Sequence, residues 1–139
     1  MRTPARLPAL ILPLLLIAGC GPAPEDRPAD TGSRDAAKEF FGAVGRRDWA
    51  AAHAALDPDG RRVCSRDELA RRGAAYLKQV GFDPSGVKVQ TCEERGDGAT
   101  AHVVLTGRGH GRHEFKDTIT LKRRDGKWGV VLPTGFGRL

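Results

Sequence analysis

The hydrophobic period of this chain changes once, at Gly81-Phe82-Asp83-Pro84, and that change does most to limit its fold. Before it, apolar residues recur at three- and four-residue intervals, the spacing of one helix face. After it they fall on every second residue, the spacing of half-buried strands. Helices first and strands afterwards read as an α+β domain with an antiparallel sheet rather than alternating βα units.

Three helices are predicted. Ala36, Ala37, Phe40, Phe41 and Val44 form one stripe, with Ser33 or Asp35 as N-cap and Gly45 at its end. A short second helix starts after Asp48, turns Trp49, Ala52, Ala55 and Leu56 inward, and stops at Asp57-Pro58-Asp59-Gly60. Ser65-Arg66-Asp67-Glu68 has the capping-box pattern ahead of Leu69, Tyr76, Leu77 and Val80, so the third helix runs to about Gln79.

Four strands follow. Val87, Val89 and Thr91 alternate with Lys88, Gln90 and Cys92, and Gly96-Asp97-Gly98 turns the chain. Further strands are expected over Ala99–Thr106, Arg112–Arg123 and Lys127–Leu132, with Asp125-Gly126 as a tight hairpin. The expected architecture is three N-terminal helices packed on a curved four-stranded antiparallel meander.

Ahead of this domain, Arg2 and Arg6 precede an apolar run from Leu7 to Ala18 broken only by Pro8 and Pro13. The pattern is that of a secretory signal. A run of about 12 residues is too short for a bilayer, which takes roughly 20. Leu16-Ile17-Ala18-Gly19-Cys20 resembles the lipobox of bacterial lipoproteins, with small residues at the two positions before the cysteine. That resemblance implies cleavage before Cys20 and transfer of a diacylglycerol to its sulfur, hence a membrane partner through a lipid anchor. Gly21, where the sorting pattern for inner-membrane retention has aspartate, points to the outer membrane of a two-membrane envelope. The chain therefore divides into a signal peptide (1–19), a lipidated cysteine with a Pro-rich tether (20–33), and the α+β domain (34–139). As a coil, the tether spans about 20 Å.

Loss of Arg2 and Arg6 lowers the net charge from +6 to +4. The basic pairs Arg46-Arg47, Arg61-Arg62 and Arg71-Arg72 and the triplet Lys122-Arg123-Arg124 are interleaved with acids and lie at element ends, as on a solvated surface. Nucleic-acid binding would want a basic stripe with stacking aromatics, which this chain lacks.

Within the domain, Ala36-Ala37-Lys38-Glu39-Phe40-Phe41, Arg47-Asp48-Trp49-Ala50-Ala51-Ala52 and the closing Asp125-Gly126-Lys127-Trp128-Gly129-Val130 resemble the nuclear-transport-factor-two-like (cystatin-like, cone-shaped) superfamily. The likeness covers Asp35 to Leu132. It implies a pocket between the helices and the concave sheet face. That superfamily holds isomerases, dehydratases and cyclases beside domains that only bind, so the pocket must decide function.

Strand parity places Phe115, Ile119 and Leu121 on the core side, and with them His113 and Asp117. A carboxylate inside an apolar cone could serve as general base, with His113 sharing its proton and Tyr76 donating a hydrogen bond. Trp49, Phe82, Phe115 and Trp128 are the expected lining or support of a binding pocket. With Cys20 lipidated, Cys64 and Cys92 remain as an even pair in an oxidising compartment, and a bridge would contribute roughly 3 to 4 kcal/mol. Cys92 has solvent-side parity, so bridging requires a strand bulge or a Cys64 that wraps around the edge.

His110 and His113 form His-x-x-His, with His102 on the preceding strand, but no cysteine or carboxylate lies at a compelling spacing from them, so no metal is expected. Nucleophile-elbow and phosphate-loop motifs are absent, and no cofactor is expected. The resulting expectation is a lipid-anchored envelope protein that binds a small apolar ligand or an envelope protein. The alternative is a pocket isomerase, dehydratase or cyclase using Asp117. Outer strand faces rich in Lys and Thr give little hydrophobic incentive for self-association.

Overall fold

The computed structural model describes residues 30–108 and 113–138. The expected signal peptide, Cys20, most of the tether and His110 lie outside the described residues. Helix α1 (Ser33–Gly45) buries Ala37, Phe40, Phe41 and Val44, the stripe expected from spacing. Its N-cap is Gly32, with φ 115° and no side-chain cap, rather than Ser33 or Asp35. The missing cap comes from across the sheet. The Glu94 carboxylate accepts from Thr31 N at 2.8 Å, Ser33 N at 3.4 Å, Ser33 Oγ at 2.5 Å and Thr31 Oγ1 at 3.0 Å.

Helix α2 (Trp49–Ala54) starts as expected, with Asp48 accepting from Ala51 N at 3.1 Å. The next four residues do more than stop a helix. Asp57 accepts from Gly60 N at 3.0 Å and caps a fourth helix, α3 (Pro58–Val63), with Pro58 in its first turn. Proline at the first helical position costs nothing, because its missing N–H would be unpaired there anyway. Helix α4 (Arg66–Val80) is capped by Ser65, which accepts from Glu68 N at 3.1 Å, and ends on Gly81 in the left-handed region. Glu68 does not complete the reciprocal half of the box; its carboxylate pairs with Arg71.

The strands β1 (Pro84–Arg95), β2 (Gly98–Gly107), β3 (His113–Arg124) and β4 (Lys127–Val131) form one antiparallel sheet in that order. Opposite residues on the helix-covered face are Ala99 and Leu121, Ala101 and Ile119, and Leu105 and Phe115. At the β3–β4 turn Asp125 and Gly126 both have positive φ, 51° and 74°, the geometry that matches the twist of a two-residue hairpin.

The register of β1 corrects the simple alternation. Val89 faces Val103 but Thr91 faces His102, so Gln90 is an extra residue, a bulge. Beyond it the faces exchange, and Cys92 is buried while Thr91 is exposed.

Phe40, Phe41 and Val44 of α1, Leu69 of α4, and Val103, Leu105, Leu121 and Val130 of the sheet are at most 1% exposed and form one core. Leu56, between α2 and α3, joins it and bridges in parallel to Val130. Trp49 packs against α4 at Gly73, where a Cβ would stand 2.3 Å from the indole. Among the described residues no helix is long and apolar enough to cross a membrane.

Candidate functional site

Strand β3 alternates regularly between the two faces. Residues 113, 115 and 117 are half-buried, 119 and 121 buried, and the even positions from 114 to 122 exposed. Tyr76, in the penultimate turn of α4, reaches across and donates from Oη to Asp117 Oδ2 at 2.8 Å. The other carboxylate oxygen accepts from Thr118 N at 2.7 Å. Two of the three candidate polar residues therefore meet. Burial pushes the Tyr76 hydroxyl well above the ordinary tyrosine value, and the charge and hydrogen bond of Asp117 push the same way. Tyr76 is thus a permanent donor to Asp117.

His113 does not join them. Its Cα lies four residues, about 13 Å, from that of Asp117 along β3. Its ring stands 5.4 Å from that of Phe82, which itself covers Gly107.

Around Tyr76 the space is filled by rings. Phe115 meets it edge-on at 5.9 Å, Phe41 is tilted at 6.2 Å, and Phe136 stacks on it at 4.5 Å with 22° between planes. Phe136 belongs to the segment after β4, for which the sequence reading had no role, and it is 5% exposed. The resemblance implied a pocket between helices and concave face; at Tyr76 and Asp117 that volume is occupied by this aromatic packing. Asp117 is instead approached from the opposite face of the sheet, by a groove of about 360 Å³ lined also by Gln90, His102, Lys116 and Thr118.

Of the four aromatic pocket candidates, Phe82 and Phe115 lie at the Tyr76 end of the sheet. Trp128 is at the other end, donating from Nε1 to Thr31 Oγ1 at 2.8 Å with the Arg123 guanidinium 5.3 Å above its ring. Trp49 is in the helix layer on Gly73, so the four do not line one cavity. Cys64 and Cys92 are both free thiols. The bulge does bring Cys92 inward, but onto Ser33 Oγ at 3.1 Å, whereas Cys64 Sγ lies by the Ser65 carbonyl at 3.6 Å. Among the described residues no three His, Cys, Asp or Glu side chains gather as a metal site.

A larger opening lies elsewhere. A cleft of about 700 Å³ runs between α1 and the start of β1, with Phe41, Gly42, Gly45, Pro84 and Val87 in its walls and Asp35, Lys38, Glu39 and Arg46 on its rim. Sequence reading missed it, although Gly42 and Gly45, three apart on one helix, were the available signal: two missing side chains on the face beside an edge strand.

No protein-family profile and no curated protein matches the chain. Solved structures do. A SEC-C motif containing protein from Rhodopseudomonas palustris superposes with a TM-score of 0.54 at 16% identity, over 73% of this chain and 77% of that one. A protein from Campylobacter jejuni described as an NTF2-like transpeptidase gives 0.53 at 18% identity, over 71% of this chain and 96% of that one. At such identities the likeness concerns the fold alone, and with four helices on a four-stranded antiparallel sheet that fold is the NTF2-like α+β cone.

Proposed function

We propose that this chain is a lipid-anchored cell-envelope binding module, held to the membrane through Cys20, whose α1–β1 cleft takes a small apolar ligand. The cleft carries the reading. Its volume of about 700 Å³ falls in the range of small-molecule sites, about 300 to 1,000 Å³. Its apolar walls and charged rim suit an apolar body with a polar end.

A catalytic role for Asp117 is the weaker reading. The hydrogen bond from Tyr76 favours it, but both carboxylate oxygens are engaged and aromatic rings fill the inner side. Transpeptidation, the description of the Campylobacter jejuni protein, would need an activated nucleophile. Here both thiols are buried, and His53 bonds the Cys64 carbonyl oxygen rather than its sulfur.

Two comparisons test the proposal. The wild-type chain should incorporate labelled palmitate and sediment with membranes, and Cys20→Ser should do neither; equal labelling of both removes the anchor. N-phenyl-1-naphthylamine, an apolar fluorescent probe, should bind the wild type and lose affinity in Gly42→Phe, which fills the cleft. Equal binding by both would remove the cleft as the site.

A further inference from the structure

The chain beyond β4 turns over α4 as a strap, residues 133–138, with no helix or strand of its own. One side chain anchors it: Phe136, stacked on Tyr76 at 4.5 Å and tilted against Phe40 at 5.9 Å. The rest of its hold is a fork. Arg72 donates from Nε to Phe136 O at 2.8 Å and from Nη2 to Pro133 O at 2.7 Å and Thr134 O at 3.3 Å, and Gln79 donates to Arg138 O at 3.1 Å. Every acceptor in that set is a main-chain carbonyl of the strap. The strap is therefore held as a bound peptide is held, by one ring in an aromatic seat and one guanidinium on its backbone.

It also stands clear of its surroundings on one side. A cleft of about 410 Å³ opens between strap, α3 and β4, bordered by Cys64, Arg72, Leu132 and Thr134. The cleft reaches the Arg72 end of the strap, and the ring seat itself opens only when the strap lifts.

We propose that the Phe136 seat is a binding site for a small aromatic carboxylic acid, occupied in cis by the strap and taken by the ligand when the strap lifts. Ring and carbonyl of Phe136 mark the two ends of that ligand. An aryl group stacks on Tyr76 and packs against Phe40, and a carboxylate a few bonds away takes the Arg72 fork. A guanidinium binds a carboxylate through two parallel bonds in which both partners are charged, whereas toward a strap carbonyl only the donor is. Arg72 therefore prefers the ligand's end to the strap's. The site is separate from the α1–β1 cleft, and its failure would leave that reading untouched.

The probe is 8-anilinonaphthalene-1-sulfonate, an aryl group with one anionic end, titrated into the full chain with phenylacetate as competitor. Phe136→Ala vacates the seat and should bind one probe per chain about ten to a hundred times tighter than wild type, the factor equivalent to one buried phenyl ring. Adding Arg72→Met to that variant should return affinity to the wild-type level. A merely loosened core would bind the probe whatever stands at 72. Gly137→Val is the second route, since its Cβ would fall 1.8 Å from Arg72 O and so lift the strap while keeping every lining side chain. It replaces Phe136→Ala if that variant no longer melts cooperatively. No gain in either variant, or a gain indifferent to Arg72, overturns the proposal.

Discussion

Replacing Gly73 by alanine sets two effects of similar size against each other, and the structure decides between them. In the middle of an exposed helix glycine is about 1 kcal/mol less favourable than alanine, so the bare expectation is a gain. At Gly73, however, the added Cβ would lie 2.3, 2.6 and 3.2 Å from three carbons of the Trp49 six-membered ring. Carbon pairs pack best at about 3.5 to 4.0 Å, so the indole must retreat by more than 1 Å. Such overpacking costs roughly 1 to 3 kcal/mol. The net expectation is a loss of up to about 2 kcal/mol, a fall in melting temperature of up to about 16 °C for a domain of this size. Gly42 in α1 is the matched control. A Cβ there meets only Arg46 Nη1, at 3.2 Å, the far end of a movable side chain, so Gly42→Ala should gain about 0.5 to 1 kcal/mol. Calorimetric melting of the two variants beside wild type reads the difference directly. If Gly73→Ala melts at or above Gly42→Ala, Trp49 is not seated on α4, and the assignment of that tryptophan to packing rather than to a ligand site is wrong.

Tyr76→Phe keeps the ring and removes the donor to Asp117, and should destabilise the domain by about 1.5 to 3 kcal/mol in urea unfolding, as expected for a hydrogen bond to a charged group. Asp57→Ala removes the cap of α3 at a 3% exposed position and should cost about 1 to 2 kcal/mol, with an unchanged urea slope. Burial acts to raise the Glu94 pKa, but the hydrogen bonds from Ser33 and Thr31 outweigh it and hold the carboxyl below its ordinary value of 4.5. A lowered folded pKa means stability that is full above 4.5 and lost as pH falls through the lower folded value. Wild type minus Glu94→Gln, melted across pH 3 to 6, should show a difference that shrinks only below 4.5; a pH-independent difference contradicts the cap.

What was legible in the sequence was whatever depends on nearest neighbours along the chain. The Asp48 and Ser65 caps, the stripe of α1 and the Asp125-Gly126 hairpin are all local signals, and all four are present. The misses were of two kinds. At Asp57-Pro58 the same dipeptide that ends one helix opens the next, because proline is barred from a helix interior and welcome in its first turn. At Gln90 an extra residue inverts the parity of everything after it, and nothing in β1 itself marks a bulge.

The bulge also explains why the site was only half legible. Parity on β3, which carries no irregularity, correctly turned Asp117 toward Tyr76. Parity on β1 failed past Gln90, so Cys92 was assigned to solvent when it is buried, and Glu94, two residues on, turns the same way toward α1. Glu94 then takes over the cap that Gly32 lacks, a contact 61 residues long that no local pattern encodes. Phe136 is the same case in the core: a lone aromatic after the last strand, with no period to place it, yet the ring that occupies the space beside Tyr76. The residues that decide whether this cone is open or shut are thus brought together by tertiary contact alone. The proposed role of the strap rests on the same kind of contact, its one buried ring and its fork of carbonyls on Arg72.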